Sequence, residues 1–383
     1  MIKLTKGIFG KGSGMKMRLC KACNSHIKKY IALGVLAFLL AGSAFLGGLG
    51  VDRTREFDRT DTAMGTMIHV KLYGKTDDSA EIMKILEELE QKELSRRVKG
   101  SVIWQINEEA GSSEGTLAAS PLWEELRKIM EISQRSEGAL DITVGDLVEA
   151  WNIDAYADRE SILETGKTED STKKQSAEGK LRSFTPPSQT QIEELLAQTG
   201  YERVELSNGR IRLPEGMKLD LGAVGKGIAC DRIADWLRGQ KETAAGVISV
   251  GGSILTWGEK PNGTKWNVAV TDPFDPDTYI GTLQLPGGVF VSTSGDYERY
   301  VEYEGKRYHH ILDPQTGYPA WSGLHSVTIV SNNGLLSDAL STACFVLGEE
   351  KGKALAESYG VGALFVREDG SVTMTESLPY TPK

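Results

Sequence analysis

The spacing of apolar positions changes period several times along the chain, and each change marks an element. Residues 52–75 enter a strand through AMGTMIHVKLYG, where Ile68, Val70 and Leu72 alternate with Met67, His69 and Lys71. That alternation places His69 on the solvent face. Over residues 79–94, Ile82, Ile85, Leu86 and Leu89 recur at helical spacing. PLWEELRKIMEISQRSEG predicts a second helix, opened by Ser120-Pro121 and stopped near Gly138. SQTQIEELLAQTG and GKGIACDRIADWLRG follow as helices, and LSDALSTACFVLG as a helix ending at Gly348. GVISVGGSILTWG, WNVAVTDP and HSVTIVS read as strands. Asn208-Gly209 marks a hairpin, and VFVSTSGDYERYVEYEGKRYHHILDP alternates as another. Strands and helices mix without regular βαβ alternation, so the expected class is α+β, with mixed or antiparallel sheets flanked by helices.

Two stretches fall outside these periods. From Tyr30 to Val51 there is no charged residue, a run long enough to cross a bilayer as a helix, which takes roughly 20 residues. Residues 1–29 hold eight Lys or Arg and no acid, which predicts this segment inside and the remainder outside. An uncleaved signal anchor is favoured over a signal peptide cut near Gly42-Ser43-Ala44, because the apolar run continues beyond Ala44. Residues 158–183 carry almost no apolar side chains and read as a polar insertion. The expected organisation is therefore a basic cytoplasmic segment (1–29), a transmembrane signal anchor (30–51) and one extracytoplasmic domain (52–383) at the cell membrane.

Charge and composition narrow the function. Beyond the basic segment the chain carries 36 basic and 53 acidic residues, a formal balance of −17, which argues against nonspecific nucleic-acid binding. Cys20 and Cys23 stand with His26 as C-x2-C-x2-H, an incomplete zinc pattern or a plain pair of thiols. Cys230 and Cys344 lie in apolar helical stretches and read as buried free thiols, with pairing open to an exported protein.

Several short segments bear chemistry. LDLGAVGKG, Leu219 to Gly227, is a glycine-rich turn before a helix, either an anion cradle with Lys226 or a plain turn and cap. It matches neither the P-loop nor the dinucleotide fingerprint. Asp338, Ser341 and Thr342 share one helix face, an oxygen set suited to Mg²⁺, although Asp338 also fits a helix N-terminus. STSGDYERY sets hydroxyls and a glycine at a strand end, with Tyr297 and Arg299 following. Asp141, between apolar residues and followed by Thr143, is either a hydrogen-bonded structural group or a ligand contact. HHILDPQTG spends two of the chain's five histidines, His309 and His310, beside an Asp313-Pro314 turn that needs neither.

Taken in order, A-M-G-T, S-x5-S-x5-N, G-A-L-D-I-T-V-G, L-D-L-G-A-V-G-K-G, V-G-G-S, T-S-G-D-Y-E-R, H-H-I-L-D-P-Q-T-G and D-A-L-S-T-A resemble the FAD:protein FMN transferase family, the ApbE-like flavin transferases, over residues 60–370. The resemblance implies a single large ApbE-like domain that uses FAD as substrate with Mg²⁺. It implies cleavage of the FAD pyrophosphate, transfer of FMN to a Thr or Ser hydroxyl of an extracytoplasmic target, and release of AMP. The targets implied are FMN-binding domains of membrane redox complexes. Met64, Arg97, Ala139, Leu140, Asp141, Asp220, Lys226 and Leu312 are implied at the FAD site. The carbonyl of Ala223, with Asp338 and Thr342, is implied to hold Mg²⁺. Ser341 is neutral where some members have an acid, and Lys226 also stands for an acid; both lower the site's negative charge and favour one Mg²⁺ with an anionic pyrophosphate.

His310 then becomes the candidate general base, since a neutral imidazole suits acceptance of a hydroxyl proton near pH 7. His309 is read as structural. Two other readings use the same site: an Mg²⁺-dependent FAD pyrophosphatase with water as acceptor, and a module that binds FAD without turning it over.

Overall fold

The computed structural model describes residues 54–157, 184–376 and 378–383. The apolar run 30–51, the cysteine pair near the N-terminus and the polar stretch 158–183 lie outside the described residues. No helix among the described residues is long and apolar enough to cross a membrane.

In chain order the chain forms β1 (Arg55–Ala63), β2 (Thr66–Gly74), α1 (Ser79–Leu89), α2 (Val102–Glu108), β3 (Thr116–Leu117), α3 (Leu122–Arg135), α4 (Gly145–Trp151), α5 (Gln189–Leu196), β4 (Glu205–Ser207), β5 (Arg210–Arg212), α6 (Gly225–Arg238), β6 (Thr243–Val250), β7 (Ser253–Trp257), β8 (Trp266–Thr271), β9 (Tyr279–Leu285) and β10 (Val289–Gly295). The hairpin β11 (Tyr300–Tyr303) and β12 (Lys306–His309), strand β13 (Leu324–Ser331), helices α7 (Gly334–Leu347) and α8 (Glu349–Ser358), and strands β14 (Gly362–Arg367), β15 (Val372–Met374) and β16 (Tyr380–Pro382) complete it.

An eight-stranded sheet in the order β1-β2-β6-β7-β10-β13-β14-β15 organises the molecule, and every pairing in it is antiparallel. Strand alternation sends side chains to two different cores. Phe290, Val327, Ile329, Ala363 and Phe365 enter the main core with α6 and α7, whereas Val291, Leu364 and Val366 meet Val268 and Leu283 of the small sheet β16-β9-β8 on the other face. These interior strands are buried on both sides, so they read as apolar runs rather than as clean alternation. A third cluster, Leu147, Trp151, Ile153, Ile192, Val301 and Leu312, holds α4, α5 and the β11–β12 hairpin together. The α+β class expected from the sequence is therefore observed.

Local chemistry explains the turns that matter for the site. The β1–β2 loop is Met64-Gly65, with φ of 51° and 66°, the two-residue geometry that suits twisted hairpins. Asn208-Gly209 repeats it between β4 and β5 as expected, and Glu304-Gly305 does so between β11 and β12. The long alternating stretch read as one hairpin divides: β10 joins the large sheet, and only β11 and β12 pair as a hairpin. Helix α1 ends in a π-helical turn, Glu90–Leu94, that directs the following residues toward the cavity described next.

Candidate active site

A cavity of about 720 Å³ opens at one end of the large sheet, lined by the Met64-Gly65 turn, the segment after the π-turn, the start of α6 and the β11–β12 region. That volume falls within the range of sites for sizeable ligands. Met64, Arg97, Ala139, Leu140, Asp141, Asp220, Ala223, Lys226, His310, Leu312 and Thr342 all line it. Eleven of the twelve residues marked in the sequence thus converge from distant segments. The twelfth, Asp338, lies one layer behind, only 3% exposed.

The motif residues divide into those that face the cavity and those that build its walls. Ser101 caps α2 by accepting from Trp104 N at 3.2 Å, and Asn107 clamps both the N–H and the carbonyl of Leu219 at 2.7 and 3.0 Å. Asp220 is held by Arg96 and by the N–H of Gly222 at 2.7 Å, so part of its charge is already neutralised. Asp141 answers the sequence's two alternatives with both: it lines the cavity and accepts from Thr143 N, Thr143 Oγ and Tyr201 N at 2.8, 2.7 and 2.9 Å. Burial nevertheless pushes its carboxyl above the usual range.

Helices α6 and α7 approach through Gly227, where a Cβ would collide with the Gly334 carbonyl and Asp338 Cβ. The Gly227 N–H donates to Asp338 Oδ2 at 2.8 Å, and Ser253 Oγ donates to Oδ1 at 3.2 Å. Ser294 Oγ bridges Ser341 and Thr342 at 2.8 and 3.2 Å. Ser341 also donates to the Asp338 carbonyl at 2.8 Å, which makes it part of the wall. Desolvation raises the Asp338 pKa, and the nearby Lys226 charge opposes that rise. Among the described residues Asp338 has no salt bridge, and no group of three or more His, Cys, Asp or Glu forms a metal cluster. A buried carboxylate without a salt bridge, with Ala223 and Thr342 on the adjoining cavity wall, fits a hard divalent cation held by oxygen.

His310 sits at the far side of the hairpin. Its N–H and its Nδ1 both bond the Arg299 carbonyl, at 3.1 and 3.2 Å. A carbonyl only accepts, so Nδ1 carries the proton and Nε2 keeps the lone pair. Desolvation lowers the His310 pKa to about 4, against the opposing pull of Asp154. His309, 2% exposed, donates from Nε2 to the Ala320 carbonyl at 2.9 Å and accepts from Ile311 N at 3.3 Å. These two bonds tie it to the segment on either side of the Asp-Pro turn.

One sequence expectation fails. His69 is not on the solvent face: it is 6% exposed, lines the cavity, and meets Asp58 at 2.6 Å. β2 is flanked by β1 and β6, and on this side of it Met67 and His69 line the cavity while Lys71 pairs with Glu56. Sequence reasoning also passed over Arg96, Glu90, Asp154 and Glu298, all of which line the cavity. Arg96 adjoins Arg97, and Glu298 lies inside T-S-G-D-Y-E-R; Asp154 had no local signal.

The fold is thus an α+β sheet-and-helix body, and the site is a large cavity that sets Arg97, Lys226 and a neutral His310 beside apolar wall, with a buried carboxylate behind it. The chain belongs to the ApbE family, whose description matches residues 64–365. It is 33% identical over 372 residues to the FAD:protein FMN transferase of Treponema pallidum, covering 90% of this chain and 92% of that one. Among solved structures it resembles the ApbE protein of Thermotoga maritima, with TM-score 0.72 and 31% identity over 84% of this chain and 98% of that one. It also resembles the apo flavinyl transferase ApbE of Pseudomonas stutzeri, with TM-score 0.67 and 28% identity over 88% and 96% of the two chains.

Proposed function

We propose that this protein is an FAD:protein FMN transferase, which moves FMN from FAD to a Thr or Ser hydroxyl of a target protein and releases AMP. The observation that carries this is the neutral His310, its Nδ1 proton committed to the Arg299 carbonyl, on the same cavity as Lys226 and Arg97. Among the described residues neither cation is held in a salt bridge; Lys226 faces the buried carboxylates Asp338 and Glu298, and Arg97 acts on Asp154, while both line the cavity where an anionic ligand would lie. Family membership and relatives named for this activity support the reading.

In the step proposed, His310 Nε2 accepts the proton of the target hydroxyl as its oxygen attacks the FMN phosphorus. The bond from that phosphorus to the bridging oxygen breaks, and AMP leaves with the oxygen. Lys226 and Arg97 offset charge on the pyrophosphate. The Ala223 carbonyl, Asp338 and Thr342 would hold Mg²⁺, which when bound supplies further neutralisation of the phosphate oxygens. The Met64-Gly65 turn, Ala139, Leu140 and Leu312 provide apolar wall for the flavin.

The acidic body and the apolar run 30–51 support a domain anchored outside the cytoplasmic membrane, with FMN-binding domains of membrane redox complexes as targets. The test mixes residues 52–383 with FAD, Mg²⁺ and an FMN-binding domain that carries an acceptor threonine. An acceptor band fluorescent on a denaturing gel, heavier by FMN less water, is the expected result. FMN and AMP without adduct would make water the acceptor and the protein a pyrophosphatase. Intact FAD would leave a binding module.

A further inference from the structure

Arg299 occupies a junction that the transfer chemistry alone does not require. Its guanidinium donates to the Gly65 carbonyl in the β1–β2 turn at 2.5 Å and meets Asp154 at 3.3 Å. Its own carbonyl takes both bonds from His310. Asp154 stands three residues beyond α4, whose end is set by Asn152 in the left-handed conformation at φ 49°. Three separate parts of the fold therefore meet at one residue: the turn carrying Met64, the segment just beyond α4, and the segment just beyond β12 that carries His310. Ion pairs on a surface contribute little, but this one is only about a quarter exposed on each side, at 27% and 26%, and lies on the cavity wall.

The geometry points to Asp154 and Arg299 as a positioning pair that holds the His310 imidazole in its Nδ1–H tautomer, with the Nε2 lone pair left for the acceptor hydroxyl. The Gly65 hydrogen bond and the charge attraction of Asp154, whose Oδ1 is buried without a hydrogen bond, hold the side chain of the residue whose carbonyl selects the tautomer. An orienting partner of this kind decides which nitrogen of a histidine is basic. Asp154 also acts through its charge. The titratable and charged groups facing His310 are Asp154, which favours its protonation, and Arg299, His309 and Lys226, which oppose it. Arg299, His310 and Arg97 in turn favour the ionised form of Asp154. With Asp154 ionised and His310 neutral, Arg299 is balanced and the base is free of a proton at neutral pH.

The catalytic half of the inference rests on His310 being the base of the proposed transfer, so the test has two readouts. Nitrogen-15 histidine spectra at pH 7.5, taken on the 52–383 protein without flavin or acceptor, report the His310 tautomer, with His310→Gln identifying the signal. Asp154→Asn and Arg299→Met should shift part of the population to Nε2–H. The same variants should lower kcat for transfer by about 10- to 100-fold, the range for removing an orienting partner, with little change in KM for FAD. Asp154→Glu should recover most of the loss. Unchanged tautomer and unchanged kcat in both variants would overturn the pairing. Full activity in His310→Gln would remove His310 as the base, and the tautomer result would then stand or fall by itself. A variant that loses circular dichroism as well as activity is replaced by Arg299→Lys, which keeps charge but not the two-ended contact.

Discussion

At His310 the effect that decides the chemistry is desolvation, which outweighs the carboxylate of Asp154 and brings the pKa to about 4. The sign follows directly. The imidazole is an unprotonated base at every pH above that value, so transfer should stay level as pH falls through 6.5 and decline only toward about 4. A pH profile of kcat/KM checks this, and an acid limb near 6.5 would mean that His310 is not the group titrating. The same depression has a cost in stability: the unfolded chain takes up this proton near 6.5 and the folded one only near 4, so this group favours unfolding as pH falls between them. Asp338 poses the complementary case, a carboxylate that burial pushes up and that lacks a salt bridge among the described residues. Asp338→Asn keeps the size of the group and an oxygen for the Gly227 N–H, so the fold should hold while the Mg²⁺ concentration needed for half-maximal transfer rises. An unchanged Mg²⁺ titration would remove Asp338 from the ligand set. Residues of this kind were legible in the sequence because their motifs are local; Asp154 was not, since its role comes from a contact with Arg299, 145 positions away.

At the scale of elements, the packing of α6 on α7 carries the metal-side half of the site. Gly227 permits it: its N–H reaches Asp338, and its Cα leaves space that a methyl would take from the Gly334 carbonyl. Gly227→Ala should therefore separate the helices, at about 1–3 kcal/mol of stability, the usual range for overpacking. It should also weaken the Mg²⁺ response while leaving the His310 tautomer unchanged, because the bond that sets the tautomer, from Nδ1 to the Arg299 carbonyl, lies outside the α6–α7 contact even though Ile311 packs in the same core. Loss of both readouts together would show that the two halves of the site are not independent. Helices were readable here because amphipathic spacing survives in them, as in α1 and α6. The central strands were readable only as apolar runs, because the helices cover one face of the sheet and the β8–β9–β16 layer covers the other. The short α2, α8 and β14 to β16 had too few periodic positions to declare themselves. His69 was misplaced for a related reason: alternation tells which residues share a face, and it does not tell whether that face meets water or a ligand.

Across the whole molecule, the cavity is assembled from residues as far apart as Met64 and Thr342, so no fragment of the chain contains it. That organisation couples ligand occupancy to global stability. FAD that binds only the folded state should stabilise it by about 2.7 kcal/mol at one hundred times its dissociation constant. For a chain of this size such a gain raises Tm by roughly 3–4 °C. Arg97 tests where the stabilisation originates. It stands at the exposed rim without a salt bridge among the described residues, so replacing it should leave the unliganded Tm nearly unchanged. Arg97→Ala should instead reduce the FAD-induced shift at fixed ligand, and more so at low ionic strength, where a cation facing a pyrophosphate acts over a longer range. Differential scanning calorimetry of both proteins, with and without FAD at two salt concentrations, separates the two effects. A full shift in the variant would place the pyrophosphate away from Arg97. A shift absent in both proteins, with FAD binding intact by fluorescence, would mean that the flavin occupies some surface other than this cavity.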